Sequence, residues 1–348
     1  MRAIAGIENR SSRPRTMRSI ISTDRFHTAS RMLRGLISGD SATWCPMLND
    51  SAFVASNGDI FSCCHSLPFK LGNIYRSSLT EIWRDGAALK LSRFLSAHHR
   101  LYCCYGCNLL SEEQKRTPVV FGNDHPRMLW LLFGEFCNIS CIMCEQNHRS
   151  KTILDDAVLK RNIDWEHIEE VEFQGGELLA IRSAREFYRW VTADRKIKGN
   201  LITNGMLIND EWAGYLVAGA RWIAVSVNAA SMETHQKINR NSNFERVIDN
   251  IKRLVSAKRA SGSAVTIAYK FTIVPENMRE IADAIGTAEA AGCDAIVYGY
   301  SGRAAHALRG DAPLRETIRR DLAEAKRAHG TILVDDTRLR PLGLVQDS

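Results

Sequence analysis

The stretch RMLWLLFGEFCNISCIMCEQ, residues 127–146, changes character halfway along. Its first half is a near-continuous apolar run, the pattern of a parallel strand buried on both faces. Its second half places Cys137, Cys141 and Cys144 within eight residues, spaced C-x3-C-x2-C. The cysteines therefore follow directly on the end of a strand, where α/β barrels collect their chemistry. A structural metal site closes with four ligands. Three thiols this close together leave the fourth place for something else.

Downstream the strand–helix alternation repeats. Residues 152–163 predict a helix and EEVEFQ, 169–174, a second strand. SAREFYRWVTADRK is an amphipathic helix, and NLITN, 200–204, a third strand. NDEWAGYLVAGA is a helix with Asn209 or Asp210 as its cap. RWIAVSVN (221–228), AVTIAYKFTIV (264–274) and DAIVYGY (294–300) are the fourth to sixth strands. The helices between them are FERVIDNIKRLVSAKRASG, which stops at glycine, and NMREIADAIGTAEAAG. A helix over 313–328 follows, and TILVDD is read as a late edge strand. Six such units predict right-handed crossovers and a parallel sheet that curls. Six is fewer than the eight of a closed barrel. The expected fold is α/β: a partial (β/α)6 TIM-like barrel over 126–334, open on one side, with a tail at 335–348.

Residues 41–112 read differently. They contain short extended pieces, a hairpin turn at Asn57-Gly58 and one helix near 79–98. Six of the ten cysteines lie here: Cys45, Cys63, Cys64, Cys103, Cys104 and Cys107. So small an α+β module has little core and calls for metal to hold it. Residues 113–125 predict a linker. Only Cys293 stands outside the clusters. No stretch approaches the roughly 20 apolar residues of a membrane span, and no apolar segment follows the basic start. Clustered cysteines in such a chain argue for metal or redox use in the cytoplasm, not for a disulfide framework. The formal charge of +7 is concentrated in residues 1–40, where eight arginines against Glu8, Asp24 and Asp40 leave +5. That segment predicts a flexible tail. It has no aromatic interleaving, so neither nucleic acid nor membrane is an expected partner.

The trio, with QGGE at 174–177, ITNG at 202–205 and SVNAAS at 226–231 each ending a strand, resembles the radical S-adenosylmethionine (radical SAM) superfamily. The resemblance implies a 4Fe–4S cluster held by Cys137, Cys141 and Cys144, whose open iron chelates S-adenosylmethionine (SAM). It implies SAM contacts from Gly175, Gly176, Glu177, Asn204, Ser226 and Arg240, with Met143 packing on adenine. Glu177 is expected to accept from the methionine ammonium and Arg240 to grip the carboxylate. Leu178 and Asn228 depart from the proline and aspartate frequent in that family. A Cys3His zinc site using His148 is the competing reading of the trio.

The upstream cysteines, C-x12-G-x4-C and later C-x2-C, resemble the auxiliary-cluster module called SPASM, or its shorter twitch form. A second 4Fe–4S cluster is then expected on Cys45, Cys63, Cys104 and Cys107, with Cys64 and Cys103 able to substitute. The module usually follows the barrel; here it precedes it. Together these resemblances imply an enzyme that cleaves SAM to a 5′-deoxyadenosyl radical and abstracts hydrogen from an unactivated C–H, while the second cluster accepts an electron. The expected outcome is oxidative tailoring of a natural product, by small-molecule dehydrogenation or peptide cross-linking, fed by an external donor such as flavodoxin or ferredoxin. Epimerisation, or a non-enzymatic iron–sulfur or zinc protein, are the other readings.

Overall fold

The computed structural model describes residues 50–62, 70–86, 89 and 124–345. Cys45, Cys63, Cys64, Cys103, Cys104 and Cys107, the basic segment 1–40 and most of the 113–125 linker lie outside the described residues. In chain order the first strands are β1 (Ser51–Val54), β2 (Asp59–Phe61) and β3 (Gly72–Asn73), followed by α1 (Leu79–Asp85). Next come β4 (Met128–Leu132), β5 (Ser140–Cys141), α2 (Asp156–Asn162), β6 (Glu170–Gln174), α3 (Arg182–Arg189) and β7 (Lys198–Thr203). They are followed by α4 (Asp210–Gly219), β8 (Trp222–Ser226), α5 (Met232–Ile238), β9 (Asn239–Arg240), α6 (Phe244–Ser261) and β10 (Thr266–Ile273). The last are α7 (Asp283–Ala290), β11 (Ala295–Tyr300), α8 (Gly302–Gly310), α9 (Ala312–Ala328) and β12 (Leu333–Asp335).

One sheet holds ten strands in the order β12-β11-β10-β8-β7-β6-β4-β1-β2-β3. The six expected strands, β4, β6, β7, β8, β10 and β11, run parallel and side by side. The late edge strand is β12, parallel to β11. The first hairpin also joins this sheet: β1 pairs parallel with β4, Phe53 opposite Trp130, and antiparallel with β2. The upstream region is therefore joined to the barrel by strand pairing. Burial explains the join. All four residues of β1 are buried, so its second face needs a partner strand. Arg127 reinforces the pairing, its backbone N–H donating to the Asp50 carbonyl at 2.8 Å.

Alternation along each strand separates two faces. Val171, Phe173, Leu201, Ile223, Val225, Tyr269 and Phe271 pack against the helices in the main core. There Phe133, Phe187, Trp165 and Trp190 stack edge to edge or tilted at 5.1–5.6 Å. Burying each such ring contributes roughly 1.5–3 kcal/mol. The concave face is different. It carries two small apolar patches, Phe53–Phe61–Trp130 and Ala224–Ala268–Ala295. Between them lie polar residues. A sheet covered on both faces would read apolar on both, so this face lines a space.

Candidate active site

The cysteine loop starts where β4 ends. It is clamped from outside by a two-stranded ladder that sequence patterning did not predict: β5 pairs antiparallel with β9, Ser140 opposite Arg240 and Cys141 opposite Asn239. The Ile142 N–H donates to the Ile238 carbonyl at 3.0 Å. Within the loop the Cys144 N–H donates to the Cys141 carbonyl (3.1 Å), and the Cys137 N–H to the His148 carbonyl (3.3 Å). Cys137 and Cys141 are half-buried and Cys144 is exposed. Desolvation pushes the Cys141 thiol up to about 12, and Cys137 and Cys144 upward as well. The free thiols are thus protonated at neutral pH, and a metal must displace protons to bind.

The spread of the trio separates a cluster from a single ion. Tetrahedral zinc at 2.3 Å from sulfur holds thiolates about 3.8 Å apart. Among the described residues, the set whose ligand atoms all come within 4.8 Å is His125, Asp164 and His167, not the cysteines. His148 turns its Nδ1 to the Ser140 hydroxyl at 3.3 Å. Three spaced thiols on a loop at a strand end fit a cubane cluster, one iron per thiolate.

The QGGE loop after β6 lies on the cysteine loop. The Gly176 N–H donates to the Gly134 carbonyl and the Glu177 N–H to the Phe136 carbonyl, both at 2.8 Å. A Cβ at Gly176 would stand 1.9 Å from the Phe136 oxygen. At Gly175, where φ is +123°, it would stand 2.4 Å from the Gly134 oxygen. Sequence reading had the glycines admit a ligand. What they admit in the structure is the chain's own backbone, so one loop sets the position of the other.

Glu177 also differs from its expected task. It is fully buried. Its carboxylate accepts from the Leu179 N–H (3.2 Å), the Thr203 hydroxyl (2.9 and 3.0 Å) and the Asn204 N–H (2.8 Å). It ties the second strand end to the third and faces into the protein. Burial pushes its pKa up against the pull of these donors. Asn204 carries the tie to the trio: its Nδ2 donates to the Asn138 Oδ1 at 2.9 Å and lies 3.6 Å from the Cys137 sulfur.

The fourth strand end is braced in the same manner. Asn228, in left-handed backbone at φ +60°, accepts from the Thr272 N–H (2.8 Å) and donates to the Asn239 Oδ1 (3.2 Å). Buried His235 holds the Val227 carbonyl and the Ser242 hydroxyl, each at 2.9 Å. This brace presents Arg240, exposed, beside Ser140 of the cysteine loop. Ser226 belongs to the concave face, in register with Lys270. Met143 is half-buried between Cys141 and Cys144. Thr203, Asn138, Asn239 and His235 escaped sequence reading. A lone polar Thr203 in the otherwise apolar NLIT strand was the one available signal.

Two family profiles match the chain. Residues 131–298 match the radical SAM superfamily, and residues 45–123 match the iron–sulfur cluster-binding SPASM domain. Among curated proteins, a probable GTP 3′,8-cyclase of Methanocaldococcus jannaschii is 23% identical over 163 residues, covering 45% of this chain and 53% of that protein. The GTP 3′,8-cyclase of Rhodopirellula baltica is 28% identical over 151 residues, covering 39% and 41%. The chain thus spans about half the length of the curated relatives it matches. Among solved structures, native anSMEcpe with bound AdoMet shares 16% identity over 60% of this chain and 63% of that one, with a TM-score of 0.47. Streptococcus suis SuiB bound to the precursor peptide SuiA shares 12% identity over 88% and 77%, also at 0.47. The two profiles carry a SAM-binding 4Fe–4S cluster, SAM itself and an auxiliary iron–sulfur cluster as the cofactors. The chain is an enzyme of the radical SAM superfamily, with its SPASM region placed ahead of the barrel.

Proposed function

We propose that this enzyme oxidatively tailors a small substrate at an unactivated C–H bond. The observation that carries the reading is the knot joining three strand ends: the QGGE loop hydrogen-bonded onto the cysteine loop, and Asn204 bridging Glu177 to the Cys137 sulfur. Cys137, Cys141 and Cys144 would hold the cluster. Exposed Arg240, across the ladder from Ser140, would reach the SAM carboxylate bidentately. Gly175, Gly176, Asn204, Ser226 and Met143 stand around the same mouth as further SAM contacts, with Glu177 acting through Asn204. When bound, these cofactors supply a 5′-deoxyadenosyl radical that removes the hydrogen atom, and an auxiliary 4Fe–4S cluster on Cys45, Cys63, Cys104 and Cys107 to take up the substrate's electron. The chain's own part is to position the substrate and exclude water.

An external reductant of the flavodoxin or ferredoxin type is part of the proposal, as is a cytoplasmic setting. Among the described residues no helix is long and apolar enough to cross a membrane. Nucleotide cyclisation, named for the curated relatives, is not carried over, since those matches cover less than half of this chain. Epimerisation needs a hydrogen donor opposite the radical. Cys293, the one unclustered thiol, lies before the start of β11, the end of the strand away from the cysteine loop. It packs in the main core, and burial pushes its thiol up to about 12. It is a structural cysteine.

The test is iron and sulfide per chain after anaerobic reconstitution, with 5′-deoxyadenosine release under reduction. About eight irons are expected, falling to about four when Cys137, Cys141 and Cys144 are all alanine. 5′-Deoxyadenosine should be lost completely in that variant. Zinc without iron in the wild type would end the proposal.

A further inference from the structure

The concave face of the sheet carries a polar seam that the cofactor knot does not use. Glu172 and Gln174 project from β6, Ser226 from β8, and Lys270 and Thr272 from β10. Their strand neighbours Val171, Phe173, Val225, Tyr269 and Phe271 all belong to the opposite, helix-covered face. All five seam residues are partly exposed. Trp130 and Leu132 border the seam on one side, Ala224 and Ala268 on the other. The alanines leave room where larger side chains would fill the interior. Below the seam the space is closed. Asn200 donates to the Glu170 carboxylate, and its own oxygen accepts from the Arg221 and Trp222 N–H groups at 3.0 and 3.1 Å. Above it, Ser226 and Gln174 end the strands that lead to the cofactor mouth.

A carboxylate in such a recess is costly unless its acceptor sites are used. Glu172 takes one donor from Gln174. Burial raises its pKa, while Gln174 and the charge of Lys270 pull the other way. The remaining acceptor capacity faces the space. The seam thus offers acceptors at Glu172, donors at Lys270, and groups of both kinds at Gln174, Ser226 and Thr272. Hydroxyl groups, each both donor and acceptor, match that mixture. An extended peptide would instead call for an open strand edge, and this is a sheet face.

The geometry points to Glu172 as the specificity-determining residue of the substrate seat, reading the hydroxyl or amino donors of a small polyhydroxylated molecule held against the seam. This inference rests on the proposed radical chemistry for its meaning, and on the concave face for its evidence.

The reconstituted enzyme with SAM would be dialysed to equilibrium against radiolabelled myo-inositol, D-glucosamine and trialanine. Retention of one or both polyols and not of trialanine is expected. Glu172→Gln should weaken polyol retention about tenfold or more, the scale of one hydrogen bond to a charged group. Iron content and SAM retention should not change. Thr272→Val, which removes one hydroxyl from the seam, should weaken it severalfold and serves if the first variant misfolds. Retention of trialanine alone, equal retention by wild type and variants, or no polyol retention by an enzyme that still binds SAM and releases 5′-deoxyadenosine would each overturn the assignment. Absence of SAM binding and of 5′-deoxyadenosine from the wild type would instead remove the proposed function itself.

Discussion

Replacing Glu177 by glutamine separates a strut from a ligand. In the structure this carboxylate is fully buried and accepts from Leu179 N–H, Thr203 Oγ1 and Asn204 N–H. Glutamine keeps the shape but turns an NH2 toward one of these donors. If it faces Asn204, a bond of 2.8 Å to a charged acceptor is lost, and such bonds contribute roughly 1.5–3 kcal/mol. The Asn204 N–H is then buried without a partner, at a further cost of roughly 1–3 kcal/mol. The combined loss is about 3–5 kcal/mol, or a fall in Tm on the order of 10 °C for a domain of this size. Thermal and urea unfolding of the apo-protein would measure it, with SAM affinity of the reconstituted enzyme taken by equilibrium dialysis. Thr203→Val should destabilise less, and the double variant should cost less than the two single losses combined, because they share one network. The reasoning is refuted if Glu177→Gln leaves stability unchanged while SAM affinity collapses. That result would make Glu177 a direct ligand, as the sequence resemblance implied.

Four further outcomes follow from the same geometry. Gly176→Ala drives a Cβ to 1.9 Å from the Phe136 oxygen; the QGGE loop must lift off the cysteine loop, and about four of the irons should be lost while those of the SPASM region remain. Asn204→Leu removes an N–H 3.6 Å from the Cys137 sulfur. The loss of a weak bond to the cluster, about 0.5–1 kcal/mol, should lower its reduction potential by roughly 20–40 mV in an EPR-monitored titration. Arg240→Lys keeps the charge but not the fork, and should raise the Kd for SAM about tenfold in the dialysis assay. The apo-protein should lose stability as pH rises from about 9 toward 12. The Cys141 and Cys293 thiols, raised to about 12 by burial, bind their protons more tightly folded than unfolded. Their contribution is full below the unfolded value and fades above it. Unfolding midpoints across that range should show the fall, and the cluster-loaded enzyme should show less of it because Cys141 is then already deprotonated.

Local pattern was enough for the barrel. Apolar runs such as MLWLL and TIAYKFTI, and the amphipathic helices between them, can bury themselves only in a parallel sheet with helices outside. Their order along the chain then prescribes the crossovers. The trio, QGGE and ITNG were legible for the same reason: each closes a predicted strand, so the barrel's topology gathers them at one end. Contacts between residues distant in sequence left no such trace. The parallel pairing of Ser51–Val54 with β4 joins residues some 75 positions apart, and nothing periodic in either segment announces it. The Ser140–Arg240 ladder, two residues per strand, is too short to carry a period. Glu177 read as a ligand because its motif ends a strand. Only the folded chain shows Thr203 and the Asn204 N–H already occupying its oxygens. Glu172 read as one letter of a strand. Its place on the concave face follows from the pleat, but the empty side of that face exists only once the sheet has curled. Sequence by itself determined which elements form and which chemistry they can hold. Tertiary structure decided which polar groups are spent on each other and which remain for a substrate, because hydrogen-bond partners are assigned in space and not along the chain.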